Sequence, residues 1–239
     1  YLKPLISGQS LGAFGLTEPD SGSDASGLRT TARLENDEWV IDGAKTFITN
    51  SGTSITSLVI VACVTGIKND GSKEFSTIIV PNGTPGFTVE PSYSKVGWHA
   101  SDTHPLSFNN VRVPASNLLG ERGRGYANFL QSLDEGRIAI AALSVGAAQG
   151  CLDESVKYAK ERKAFGKPIG QHQSIAFKIA EMQARTHIAR LANKHAAALM
   201  DSGKEFKAQA SIAKLVGSEA AMDNARQATQ IFGGYGFMN

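Results

Sequence analysis

The run Phe14-Gly15-Leu16-Thr17-Glu18-Pro19-Asp20-Ser21-Gly22-Ser23-Asp24 carries a short apolar strand into a turn rich in Pro, Gly, Ser and Asp. Pro19 fixes its own φ and has no N–H, so a strand cannot continue through it. Gly22 lets backbone come close to another group, and Ser21 and Ser23 supply hydroxyls there. Taken alone, such a composition describes an ordinary strand-to-loop turn. A second stretch changes its weight: Asp42-Gly43-Ala44-Lys45-Thr46-Phe47-Ile48-Thr49-Asn50 again ends a strand with an aromatic and a Thr two residues apart.

Outward from these stretches, the texture from Leu11 to about Pro114 is strand and turn. Arg29–Glu35 and Glu38–Asp42 bracket Asn36-Asp37, a hairpin-like pair. Ser57–Val64 and Phe75–Val80 are apolar, β-branched runs of buried-strand type. Phe87–Pro91, Leu106–Phe108 and Val111–Val113 complete about seven short strands at barrel or sandwich spacing. Near Gly120 the pattern changes. Tyr126, Phe129, Leu130 and Leu133 fall on one helical face, opening a helix expected from about Gly125 to Arg162. Two more helices are expected, Gln171–Met200 and Lys207–Phe232, stopped by Asp201-Ser202-Gly203 and Gly233-Gly234. The expected fold is therefore α+β: an antiparallel β-barrel or sandwich over residues 1–119, then an incomplete α-helical bundle over 120–239. Three long Ala-rich helices would leave an apolar face for further helices or other subunits.

The two opening stretches resemble the flavin-binding segments of the acyl-CoA dehydrogenase family. The first reads there roughly (Phe/Tyr)-x-(Leu/Val)-Thr-Glu-Pro-x-x-Gly-Ser-Asp and the second (Trp/Phe)-Ile-Thr-Asn. The similarity runs from about Leu2 to Asn239. It implies FAD as cofactor, with Phe14, Leu16 and Thr17 in the first flavin segment and Thr17 hydrogen-bonded to the pyrimidine end of the isoalloxazine. Thr49 would bond the flavin nitrogen that receives the hydride, and Phe47 would pack on the ring. Donors there stabilise negative charge on the reduced ring. Ser23 would lie between the FAD pyrophosphate and the pantetheine arm of the substrate.

Further motifs extend the resemblance into the helices. Asp134-Glu135-Gly136-Arg137 places Asp134 and Arg137 three apart, on one face. Without context this is a solvated ion pair; in the family such an Asp and Arg contact the CoA of an acyl thioester. Glu161-Arg162-Lys163-Ala164-Phe165-Gly166 followed by Gln171-His172-Gln173 resembles an ERxxFG…HQ element. The resemblance implies that Arg162, Phe165 and Gln173 reach the FAD site of a neighbouring subunit. Gln230-Ile231-Phe232-Gly233-Gly234 resembles a second such element, in which Gln230, Gly233 and Gly234 pass beside the adenosine half. A homodimer or homotetramer would then share its FAD sites between chains. The implied reaction is α,β-dehydrogenation of an acyl-CoA to the trans-2-enoyl-CoA. Electrons would pass to an electron-transfer flavoprotein, in the bacterial cytoplasm or the mitochondrial matrix.

One departure concerns the base that takes the α proton. Most members carry it as a Glu in a Tyr-Glu-Gly-Thr-like stretch past the ERxxFG motif, which is expected beyond Asn239. A minority place it immediately before the Arg of the CoA-contact motif. That position here is Gly136, and Glu135 is rotated about 100° away on a helix. No catalytic residue is assigned, and the chain is expected to be inactive alone. Rival readings are an acyl-CoA oxidase or flavin monooxygenase on the same scaffold, or a self-associating module without flavin.

Bulk properties narrow the alternatives. The 239 residues carry 24 Lys plus Arg and 22 Asp plus Glu, and a net charge of +2 argues against a general nucleic-acid or membrane-surface role. No apolar run approaches the length of a membrane span, and no charged-then-apolar leader opens the chain. Starting at Tyr1 without Met, the sequence reads as a piece of a longer protein. Cys63 and Cys151 are far apart and the five histidines show no ligand spacing, so neither a disulfide framework nor a metal is expected. Gly8-Gln9-Ser10-Leu11-Gly12 fits a nucleophile elbow in letters only, since a strand rather than a helix follows the Ser. Gly120, Gly123 and Gly125 lack a βαβ frame and read as a hinge.

Overall fold

In the computed structural model, which describes residues 1–238, a short helix α1 (Leu2–Ile6) precedes strands β1 (Leu11–Gly15), β2 (Thr31–Glu35), β3 (Glu38–Thr49), β4 (Thr56–Ile67), β5 (Lys73–Pro81), β6 (Phe87–Val89) and β7 (Thr103–Pro114). Helix α2 (Gly125–Glu161) leads to a two-stranded hairpin of β8 (Lys163–Ala164) and β9 (Lys167–Pro168), then to α3 (Gln173–Asp201) and α4 (Lys207–Phe232). By packing, the chain forms two units, Tyr1–Leu130 and Gln131–Asn239.

The first unit is one seven-stranded sheet in the order β1-β4-β2-β3-β7-β6, with β5 also paired to β4. Strand-then-helix architecture follows the expected fold class, but the sheet is mixed and not antiparallel throughout. β1 runs parallel to β4, and Thr31 of β2 pairs parallel with Val64. Such pairings join residues far apart in sequence, so no hairpin signal announces them. β4 shows why its sequence is a continuous apolar run. Val59, Val61 and Cys63 enter one core with Trp39, Ile78 and Leu106, while Ala62 enters another with Leu28, Phe75 and Phe129. A strand buried on both faces has no polar alternation.

The expected strands Leu106–Phe108 and Val111–Val113 are a single strand, β7. It passes through Asn109-Asn110, with Asn110 in the left-handed region at φ 50° beside a register shift against β3. β3 itself continues well past Asp42, through the second flavin-like stretch to Thr49.

The second unit holds its helices together largely by small residues. Ala141, Ala196, Ala210 and Ala213 are fully buried in one cluster with Ile138, and Val145, Ala189 and Ala220 form another. Close approach needs a polar lock at one crossing. The buried Asn224 of α4 donates to the Ala148 carbonyl (3.1 Å), the Met182 carbonyl (3.2 Å) and Thr186 Oγ1 (2.9 Å). Ile188, Leu191, Ile212 and Leu215 remain exposed, as the Ala-rich stripes foretold. At the start of α2, Tyr126 and Phe129 pack as the sequence face required, but Leu130 and Leu133 stay exposed. Gly125 cannot carry a side chain there, because a Cβ would lie 2.5 Å from the Ser76 carbonyl carbon.

Candidate functional site

In the first unit the two flavin-like stretches are bound to each other. Thr46 N–H donates to the Thr17 carbonyl at 2.9 Å. Lys45 Nζ donates to the Leu16 carbonyl at 3.1 Å and pairs with Glu18 Oε1 at 2.8 Å. Both side chains of that ion pair are buried, at 0% and 5% exposure. The Glu18 carboxylate also accepts the backbone N–H groups of Arg29 (2.7 Å) and Thr30 (2.9 Å). Neither Glu18 nor Lys45 stood out in the sequence reading. The available signal was a lysine in a β-run whose flanking side chains, Ile41 and Ile48, point inward.

Their electrostatics follow from this enclosure. Burial raises the Glu18 carboxyl, but the Lys45 ammonium, Thr30 and the Arg29 amide outweigh it, holding the group below its ordinary 4.5. Burial pulls Lys45 below its ordinary value against the opposing pull of Glu18. Burial also pushes the nearby Cys63 thiol up to about 12, so this cysteine is an inert core residue.

Immediately after Lys45, β3 shifts register against β7. Phe47 sits at this bulge with φ 59° and is 63% exposed, its ring centroid 5.0 Å from that of Tyr93. A bulge re-aims a side chain, and a bulky residue at positive φ is uncommon. Thr46 is buried, with its Oγ1 2.5 Å from the Tyr93 hydroxyl. Thr49 is exposed at the end of the strand. Phe14 is part-exposed, its ring centroid 4.1 Å from that of Phe129, and Leu16 and Thr17 are half-buried. Ser23 is exposed on the turn. Among the described residues, the hydroxyls of Thr17, Ser23 and Thr49 have no hydrogen-bond partner.

In the second unit the sequence-selected residues divide. Arg162, Phe165, Gly233 and Gly234 line one cleft of about 820 Å³ with Tyr158, His172, Ile231 and Tyr235. Tyr158 stacks on Phe232 with centroids 4.3 Å apart, forming an aromatic wall that the motif reading missed. Gln173 opens α3 and Gln230 lies in the last turn of α4; both are exposed and neither lines the cleft. Phe165 and Gly166 form the turn between β8 and β9, and His172 holds it by a contact of Nε2 with the Ala164 carbonyl at 3.1 Å. Among the described residues no carboxylate pairs with Arg162, which leaves its guanidinium available to an anion. Asp134 and Arg137 pair with each other on α2. Glu135 faces solvent and accepts from Gln131 at 3.2 Å, so no carboxylate stands at position 136.

Taken by itself, the first unit offers apolar ring surface and hydroxyls without a partner among the described residues, which suit a flat ligand with a polar edge; the second unit, by itself, offers an aromatic cleft lined by Arg162, which suits an anionic one. Among the described residues no three His, Cys, Asp or Glu side chains gather as a metal site. No described helix is long and apolar enough to cross a membrane.

Comparison with known proteins adds to this picture. Residues 13–111 match the family model for the acyl-CoA dehydrogenase middle domain, and residues 123–239 that for the acyl-CoA dehydrogenase C-terminal domain. The short-chain specific acyl-CoA dehydrogenase of Megasphaera elsdenii is 44% identical over 238 residues, covering 99% of this chain and 61% of the relative. The solved butyryl-CoA dehydrogenase from Megasphaera elsdenii matches with a TM-score of 0.93 at 44% identity, over 98% of this chain and 61% of that one. A chain in a structure of the electron transferring flavoprotein of Acidaminococcus fermentans matches with a TM-score of 0.94 at 41% identity, over 100% and 62%. The chain spans about three fifths of the length of these relatives.

Proposed function

The chain belongs to the acyl-CoA dehydrogenase family, and from that premise we propose that it forms the flavin-holding part of an enzyme that desaturates acyl-CoA thioesters at the α and β carbons. The observation that carries the reading is the joining of the two flavin-like stretches by Lys45, Glu18 and the Thr46–Thr17 bond, next to an outward-facing Phe47. Bound FAD would supply the hydride acceptor.

The chain's own residues would do the following. Phe47 offers apolar surface to the isoalloxazine, and the free hydroxyls of Thr17 and Thr49 donate to its polar edge. Phe14 and Leu16 support that segment from behind. Ser23 donates between the pyrophosphate and the pantetheine arm. Asp134 and Arg137 meet the CoA moiety; there the guanidinium is the permanent charge and the carboxylate orients it. Arg162, Phe165 and the Gly233-Gly234 turn take the adenosine side of a FAD seated on a second copy; Gln173 and Gln230, which do not line the cleft, are assigned to the same FAD by the family motifs alone. The substrate is an acyl-CoA, the electron acceptor an electron-transfer flavoprotein, and the assembly a homodimer or homotetramer. The compartment in this reading is the bacterial cytoplasm or the mitochondrial matrix. With Gly136 before Arg137, the α-proton base is not assigned to this chain, and turnover by the 239 residues alone is expected to be absent.

The test is an absorbance spectrum after adding FAD and removing the excess. A retained band near roughly 450 nm is expected for a bound oxidised flavin. A colourless protein at every stoichiometry counts against the reading. Addition of butyryl-CoA with a dye acceptor then checks turnover. Peroxide formed in step with substrate, without added acceptor, would favour an oxidase.

A further inference from the structure

The buried Lys45–Glu18 pair is unlike the other ion pairs of the first unit. Arg33 with Glu35 and Asp42, and Arg112 with Glu35 and Glu38, lie on the exposed face of the sheet. Exposed pairs contribute little to stability. A buried one is a poor way to gain stability, since apolar residues of similar volume often do as well, but removing one partner strands a charge. A role beyond packing must therefore come from where its atoms reach.

They reach the joint between the two stretches. Lys45 leaves β3 one residue before the bulge and extends its ammonium to the Leu16 carbonyl and to Glu18. Glu18 follows Thr17 directly and is held at its far side by the Arg29 and Thr30 N–H groups. The Thr46–Thr17 backbone bond closes the ring. Residues 16–18 are thus fixed to residues 45–46 by three bonds within a segment of three residues. Beyond that ring, on one side, lies the left-handed Phe47; Thr17 itself is inside it.

We propose that Lys45 and Glu18 are positioning residues that lock the Thr17 strand end against the Phe47 bulge, setting the groups that face the flavin before the flavin arrives. The inference rests on the flavin reading for its consequence, but the lock itself is a property of the protein alone. Preorganised donors need no rearrangement when the ligand binds, so loosening them weakens binding even where the fold survives. Cys63, the other titratable side chain near Lys45, is too deeply buried to replace Glu18 as its partner.

The experiment uses the 239-residue chain in three forms: wild type, Lys45→Met and the double variant Lys45→Met/Glu18→Leu. Amide hydrogen exchange is followed at Thr46 and, for reference, at Val59 and Val61 in the centre of β4. Each form is also titrated with FAD. In Lys45→Met the lock predicts that exchange at Thr46 accelerates by about a hundredfold more than at the reference amides. The double variant removes the stranded charge and recovers the reference amides. It leaves Thr46 fast and FAD binding at least about tenfold weaker than wild type, because the joint is still open. Equal acceleration at all three amides, or a double variant with wild-type exchange at Thr46, would overturn the proposal and make the pair a global stabiliser. If wild type itself binds no FAD while Thr46 alone accelerates, the flavin reading fails and the lock stands.

Discussion

Two hairpins in this molecule have the same turn and different residues in it. Asn36-Asp37 joins β2 to β3 with φ 48° and 64°, and Phe165-Gly166 joins β8 to β9 with φ 52° and 79°. Both are two-residue loops with positive φ at both positions, the geometry that matches strand twist and favours Asn, Asp and Gly. Asn36-Asp37 meets that demand with local chemistry, and nothing more is needed to explain it. Phe165 does not. It takes on left-handed strain while 97% exposed, gaining almost no burial in return. Phe47 repeats the pattern at the β3 bulge, exposed and left-handed, but there a buried ion pair holds the adjoining backbone. Backbone strain of this kind clusters at ligand-facing surfaces, and both aromatics are residues that the proposed FAD site would use.

The largest effect should come from the held position. Lys45→Met leaves the Glu18 carboxylate buried without its ammonium, and such a loss costs about 3–5 kcal/mol. Urea unfolding should show a midpoint well below wild type at unchanged slope. The double variant Lys45→Met/Glu18→Leu should recover most of it. A single variant as stable as wild type would remove the distinction drawn between Phe47 and Phe165.

This is also where sequence reading reached its limit. The Val and Ile runs of β4 and β5 were legible because burial of both faces leaves a continuous apolar signature. The helix ends at Gly203 and Gly233 were legible because left-handed glycines are local chemistry. Motif letters selected Phe47 and Phe165 but not Lys45 or Glu18. A charged residue in a strand is read by default as facing water, and only the tertiary pairing across 27 positions reveals otherwise. Leu106–Phe108 and Val111–Val113, read as two strands, are one, because Asn109-Asn110 is absorbed within β7. The parallel β1–β4 pairing and the aromatic wall of Tyr158 and Phe232 likewise depend on distant contacts.

A smaller effect titrates one partner of the same pair. Burial raises the Glu18 carboxyl in the folded chain, but Lys45, Thr30 and the Arg29 amide together bring it below its ordinary 4.5. As pH falls below about 4.5, the unfolded chain takes up the proton first, so it binds more protons than the folded one. Stability is therefore fully present above that value and is lost progressively as pH falls through the folded one. Glu35, Asp42 and Glu74 are lowered in the same direction and share the acid loss. The difference between wild type and Glu18→Gln across pH 3–6, measured by thermal melts, isolates the buried carboxylate: the curves should converge in acid. Parallel curves would show that Glu18 takes up its proton at the same pH in the folded and unfolded chains, so that the buried pair does not hold its carboxyl down.

The smallest effect sets the two hairpins directly against each other. Asn36→Ala replaces a residue type that tolerates the left-handed region by one that does not, at a cost of about 1 kcal/mol. Phe165→Gly does the reverse. It removes an exposed ring that packs edge-on against His172 at 5.8 Å and relieves the backbone, so stability should hold or rise by a few tenths to about 1 kcal/mol. If the cleft holds FAD as proposed, retention should nevertheless fall, because Phe165 lines it together with Arg162. The informative result is the opposite sign of the two readouts in one variant. If Phe165→Gly destabilises the chain as Asn36→Ala does, the ring has a packing role after all and the turn is ordinary. If it stabilises without loss of FAD, the strain at Phe165 serves some ligand other than the flavin.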